Sequence, residues 1–196
     1  MTIMGGWSCR KTIMLKHIQK RATRKLGTRS LEFLKTLPKN GKVVEVGVQQ
    51  GDYAWDILRV NNPSELWLVD NWRPWGMGHN ELRQRTFYTH VKSRFAPFYN
   101  VHILRLNSAA AAATFPDRYF DWVYIDASHD YENVNRDLQT WWPKVKPGGH
   151  MAGHDYTPRH KDIVRAVKEN FGNNIRFVTN DNHPSFAVQK QGKKVG

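Results

Sequence analysis

Two clusters of residues in this chain could do chemistry. The first is Glu45-Val46-Gly47-Val48-Gln49-Gln50-Gly51, an acid and two glycines around the end of an apolar run. Glycines at a strand end let the backbone approach a ligand closely. Asp70 lies 19 residues beyond Gly51 and closes the next apolar run. A carboxylate there can accept hydrogen bonds from two ribose hydroxyls. The pattern is ExGxxxG rather than GxGxxG, with Gln49 where a second glycine would admit a pyrophosphate. A nucleoside without a diphosphate fits better, which argues against a nicotinamide dehydrogenase. The second cluster is Asp126-Ala127-Ser128-His129 with His154-Asp155. Carboxylates and imidazoles that converge at adjacent strand ends suit a divalent cation with open positions: magnesium, manganese or iron. His129, with Asp126 nearby, is also a candidate general base, because an imidazole titrates near ~6.5. The plainer reading of His129 is a loop histidine satisfied by hydrogen bonds.

The elements that must position these groups follow from the hydrophobic period. Val43–Val48, Leu66–Val69, Val101–Leu106 and Trp122–Ile125 are short apolar runs of the kind that form buried parallel strands. His150–Gly153, Arg176–Thr179 and Phe186–Gln189 read as further strands, and Pro147-Gly148-Gly149 as a tight turn. Helical patterns fall between them, over 53–60, 80–95, 109–115, 133–142 and 162–171. Ahead of the first strand, 12–26 reads as a basic helix, and Ser30–Leu37 as a short one stopped by Pro38, Asn40 and Gly41. This alternation predicts an α/β fold with an open, mostly parallel sheet, whose ligands sit outside the carboxyl ends of the strands. Both clusters fall at such ends. The stretch Asn71–Asn100 is rich in aromatic and cationic residues, among them Trp72, Trp75, Tyr88 and Arg83. It reads either as a substrate lid or as a helix covering the sheet edge with its aromatics inward. Trp141 and Trp142 read as core.

Residues 43–190 as a whole resemble a class I S-adenosylmethionine-dependent methyltransferase. VVEVGVQQGDYA resembles that family's cofactor loop, and LWLVDNW its ribose-binding strand end. DWVYIDASHDYENVNRDLQTWWPKVKPGGHMAGHDY resembles the later motifs of the small-molecule O-methyltransferase branch, which includes sugar, macrolide and catechol O-methyltransferases. The resemblance implies a doubly wound, Rossmann-like sheet with an antiparallel strand near its end, and S-adenosylmethionine as cofactor. It implies that Gly47 and Gly51 border the methionine part of the cofactor and that Glu45 orients the loop. Asp70 would hold the ribose with Asn71 beside it, Asn107 and Ser108 would lie near the adenine, and Asp126 would complete the cofactor site. Relatives often carry an acid near Asn107-Ser108. Catechol O-methyltransferase and its relatives place metal ligands at the positions of Asp126, His154 and Asp155, and a general base at that of His129. Their second ligand is normally an acid. His154 in its place biases the cation toward manganese, iron or zinc over magnesium.

Composition bounds the alternatives. Of 196 residues 40% are hydrophobic, enough for one packed domain, and a lone Cys9 rules out an intrachain disulfide framework and four-cysteine zinc. No apolar run approaches the roughly 18 residues of a membrane-spanning helix. Residues 1–42 hold 11 of the 30 Lys and Arg and one of the 17 acids, a net +10 out of +13. The expected organisation is therefore a basic N-terminal arm over 1–42, a methyltransferase domain over 43–190 and a tail over 191–196. The arm could dock nucleic acid or an anionic surface, or be a solvated basic helix. A transit peptide would also be basic, but this segment is poor in serine and shows no processing signal. The leading expectation is a cytoplasmic enzyme that methylates a hydroxyl of a small-molecule acceptor, alone or as a homo-oligomer. The alternatives are an RNA or DNA methyltransferase docking through the arm, and a non-catalytic binding module.

Overall fold

The computed structural model describes residues 28–192 apart from 181. The basic helix expected over 12–26 lies outside the described residues. In chain order the elements are α1 (Thr28–Thr36), β1 (Lys42–Val46), α2 (Asp52–Asn61), β2 (Glu65–Val69), α3 (Glu81–Phe95), β3 (Val101–Leu104) and α4 (Ser108–Ala113). They continue with β4 (Phe120–Ile125), α5 (Tyr131–Trp141), β5 (Val145–Gly153), α6 (Lys161–Phe171), β6 (Ile175–Val178) and β7 (Phe186–Gln189). No helix among the described residues is long and apolar enough to cross a membrane.

The strands form one sheet in the order β3-β2-β1-β4-β5-β7-β6, with β7 antiparallel to both of its neighbours and the β1–β5 pairings parallel. This is the open, mostly parallel sheet expected from the alternation, with the doubly wound Rossmann-like form that the resemblance implies. The chain first builds outward from β1 to β3, then returns to lay β4 against the other side of β1. The reversal opens a crevice at the carboxyl ends of β1 and β4.

Both faces of the sheet are covered, so the central strands are apolar on both sides. Val44, Val46, Val123 and Ile125 pack under α5 and α6 with Leu138, Trp141 and Ile163. Val43, Leu66, Leu68, Trp122 and Tyr124 pack on the opposite face with Ala54 and Ile57 of α2. Phe33 and Leu34 of α1 are fully buried in that second cluster. The helix that the charge pattern groups with the arm therefore contributes to the core, and truncating either side chain to Ala should cost about 2–5 kcal/mol.

Polar side chains start several helices by accepting a backbone N–H. Asn80 does so for α3, Asn107 for α4 and Asp130 for α5. One expectation changes in the structure. Pro147-Gly148-Gly149 is not a turn between elements but lies inside β5, where the β4 ladder slips between Phe120 and Trp122. A Cβ on Gly149 would stand 2.5 Å from the Asp121 carbonyl oxygen, and Gly148 has φ +80. The glycines thus form an irregularity in a continuous strand.

Candidate active site

A cleft of about 1000 Å³ opens at the carboxyl ends of β1, β2, β4 and β5. Its floor is the turn after β1. Gly47 has φ +91, and a Cβ there would stand 2.0 Å from the carbonyl oxygen of Asp126. Only glycine allows this approach, which hydrogen bonds from Gly47 N to Val69 O and from Asp126 N to Val46 O lock in place. Gly51 does not line the cleft. It is buried with φ +77, where a Cβ would press on Phe95 at 2.9 Å. Its glycine serves the turn into α2.

Glu45 lines the cleft although only 1% of it is exposed, and its Oε2 has no hydrogen-bond partner among the described residues. Burial, helped by the nearby Asp126 and Asp70 carboxylates, pushes its carboxyl well above the usual range. A buried carboxyl oxygen without a partner calls for a donor or a cation nearby. S-adenosylmethionine carries a sulfonium and an ammonium, so this wall of the cleft fits it.

Asp70 also lines the cleft, yet it is already engaged. Its Oδ2 accepts from Val48 N at 3.0 Å and Gln49 N at 2.9 Å, and its Oδ1 from Trp72 N at 2.7 Å. The carboxylate ties the β1 turn to the end of β2, leaving one lone-pair direction, on Oδ1, for a ligand hydroxyl. Asn71 is exposed at the rim, where its Oδ1 accepts from Arg73 N. Asn107 caps α4, accepting from Ala110 N, and Ser108 Oγ accepts from Trp141 Nε1. Both line the cleft, but their side chains first serve the local fold. Trp141 is core, as its pattern suggests.

Asp126, His129, His154 and Asp155 line the same cleft and lie close together. His129 Nε2 lies 3.1 Å from Asp155 Oδ2. His154 Nδ1 lies 3.4 Å from the same oxygen and 3.6 Å from Asp126 Oδ1. Two histidines that sequence reasoning missed also turn toward Asp155: His183 Nδ1 at 2.8 Å and His160 Nε2 at 3.9 Å from Oδ1. Neither lies near a recognisable motif, since His160 precedes α6 and His183 sits in the loop before β7. The hydrogen bond to Asp155 raises the His129 pKa. Burial opposes charge on His154, but the Asp126 and Asp155 carboxylates outweigh it and raise its pKa to about 10. Burial likewise disfavours charge on Asp155, yet hydrogen bonds from His129, His154 and His183 hold its carboxyl well below the usual range. The donor atoms of Asp126, His154 and Asp155 lie within 4.8 Å of one another, close enough to converge on one cation.

The aromatic stretch after β2 divides between its two readings. Trp72 and Phe95 are buried, and Trp72 Nε1 donates to Gln49 O, so these rings cover the sheet. Trp75 is 57% exposed, stacks on His79 and lines the cleft with Arg73 and Gln84.

The sheet order and the cleft at its switch point define an α/β fold of the kind that takes its ligands at the carboxyl ends of the strands. A family model described as a methyltransferase domain matches residues 44–156, and the chain belongs to that family. It is a methyltransferase with the fold of the S-adenosylmethionine-dependent enzymes. Among solved structures it is similar to a SAM-dependent O-methyltransferase from Thermotoga maritima, at 13% identity and TM-score 0.62, over 90% of this chain and 70% of that one. It is similar to an rRNA methylase from Streptococcus thermophilus, at 11% identity and TM-score 0.61, over 83% and 94%. It also matches a spermidine synthase from Thermotoga maritima, at 16% identity and TM-score 0.57, over 85% of this chain but only 58% of that one. These likenesses establish the fold. No curated protein matches the chain by sequence.

Proposed function

We propose that the protein transfers a methyl group from S-adenosylmethionine to a hydroxyl of a small molecule, with His129 as the base. The observation that carries this reading is the His129 Nε2 to Asp155 Oδ2 contact of 3.1 Å in the cleft that the Asp70 turn also lines. Donor and acceptor would lie side by side across the Asp126 backbone. The methyl group of a sulfonium moves by in-line displacement, so the chain's task is to align the acceptor oxygen and remove its proton. His129 donates Nε2–H to the Asp155 carboxylate, so it takes the acceptor's proton on its other ring nitrogen, Nδ1, and the carboxylate stabilises the imidazolium that forms. Glu45 and the turn held by Asp70 position the donor. Trp75 and Arg73 offer an aromatic face and a charge to the acceptor at the mouth. Asp126, His154 and Asp155 would hold a divalent cation, manganese, iron or zinc in preference to magnesium, and such a cation lowers the pKa of an acceptor hydroxyl and fixes its direction.

Calorimetric titration with S-adenosylhomocysteine tests the cofactor, and a screen of hydroxylated acceptors with labelled donor, with and without chelator, tests the acceptor and the cation. A folded protein that binds neither S-adenosylmethionine nor its product would overturn the reading.

One observation favours a second acceptor class, the net +10 over residues 1–42. An RNA acceptor docked on that arm would give binding that falls steeply with salt. Deleting 1–27 should then abolish RNA methylation while sparing cofactor binding, whereas methylation of a small acceptor would survive the deletion.

A further inference from the structure

Asp155 belongs to two sets of donors. Besides Asp126 and His154 it faces His129 and His160, and the donor atoms of this second trio also lie within 4.8 Å of one another. The His129 Nε2 and His160 Nε2 atoms stand 3.1 Å and 3.9 Å from the two oxygens of the carboxylate. Nitrogen and oxygen ligands at about 2.0–2.1 Å from a tetrahedral zinc stand about 3.3–3.4 Å apart, so each nitrogen lies near that separation from one of the two carboxylate oxygens. The two rings pack at a centroid distance of 4.7 Å. His183 Nδ1, at 2.8 Å from Asp155 Oδ1, supplies the outer contact that orients a ligating carboxylate. Asp155 itself has φ +56, a left-handed conformation unfavourable for a residue with a side chain, which the surrounding contacts must maintain.

We infer that His129, Asp155 and His160 form a second cation position, selective for borderline ions such as zinc, overlapping the Asp126–His154–Asp155 position but separable from it. Two imidazoles and one carboxylate suit zinc, whereas magnesium takes oxygen ligands. An ion there occupies Nε2 of His129 in place of its hydrogen bond to Asp155, the contact that stabilises the imidazolium, so zinc at this position inhibits methyl transfer. That consequence rests on the base role proposed above; the binding does not.

The two positions share Asp155, so the separating variants are Asp126→Asn and His160→Ala. Metal-free full-length protein is titrated with zinc by calorimetry, and with cobalt(II) by visible absorption. His160→Ala should weaken zinc binding by at least about tenfold, the usual scale for a perturbed metal shell, while Asp126→Asn retains most of it. His160→Gln repeats the test with a longer side chain, and titration of every variant with S-adenosylhomocysteine reports on the cofactor site independently of zinc. No zinc binding by the wild type, or a loss in Asp126→Asn as large as in His160→Ala, overturns the inference whatever the cofactor titration shows.

Discussion

Asp70 separates a ribose contact from a loop anchor, and its removal should show both. Asp70→Ala deletes three acceptor contacts, from Val48 N, Gln49 N and Trp72 N at 3.0, 2.9 and 2.7 Å. A hydrogen bond to a charged group contributes about 1.5–3 kcal/mol, but the freed N–H groups border an open cleft where water can replace the carboxylate. The combined cost to stability should therefore be about 2–4 kcal/mol rather than three full bonds. For a chain of this size that lowers the melting temperature by about 4–16 °C. Losing the ribose contact and the preorganised turn should in addition weaken S-adenosylhomocysteine binding by about 1–3 kcal/mol, or about 5–150-fold. Asp70→Asn keeps one oxygen and should fall between wild type and Ala in both measurements. Calorimetric affinity and a thermal melt on the same samples decide the matter. An Asp70→Ala protein that melts lower but binds the cofactor product unchanged would leave Asp70 as a loop anchor and refute the ribose assignment.

Other expectations follow from the same geometry. His129→Ala should lower turnover by about 10²–10⁴-fold, the scale of a lost general base, with cofactor affinity unchanged; turnover within a factor of about two of wild type would remove it from the mechanism. Gly47→Ala should prevent folding or strip cofactor binding, because its methyl would stand 2.0 Å from a carbonyl oxygen, and a normal melt with normal affinity would contradict the close approach. Asp56 in α2 is 4% exposed, its Oδ1 has no partner among the described residues, and burial raises its pKa to about 6. A pKa raised on folding means that stability is full below about pH 4, falls as pH rises to about 6 and stays reduced above it. Asp56→Asn should therefore match wild type at acid pH and exceed it at pH 8 by on the order of 2 kcal/mol; equal melts at both ends would refute the burial argument.

The sheet was legible because its cause is local. Runs such as Val43–Val46 and Leu66–Val69 are apolar on both faces, a signature of strands covered on both sides. The glycine requirement at Gly47 and the acid at Asp70 were legible for the same reason, since spacing along β1 and β2 carries them to the strand ends. The sequence alone therefore determined the fold class, the site's place at the carboxyl ends of the strands and the pairing of Asp126 with His154 and Asp155 at neighbouring strand ends. It did not determine how Asp70 spends its lone pairs, because backbone N–H groups from a distant turn compete with any ligand. Nor did it show that α1 belongs to the core, because its charge resembles the arm while Phe33 and Leu34 resemble the sheet. His160 and His183 were invisible in their own neighbourhoods. They reach Asp155 only because β7 lies beside β5 and α6 starts near the end of β5, so the cluster's composition depends on sheet order and long-range packing rather than on any local pattern.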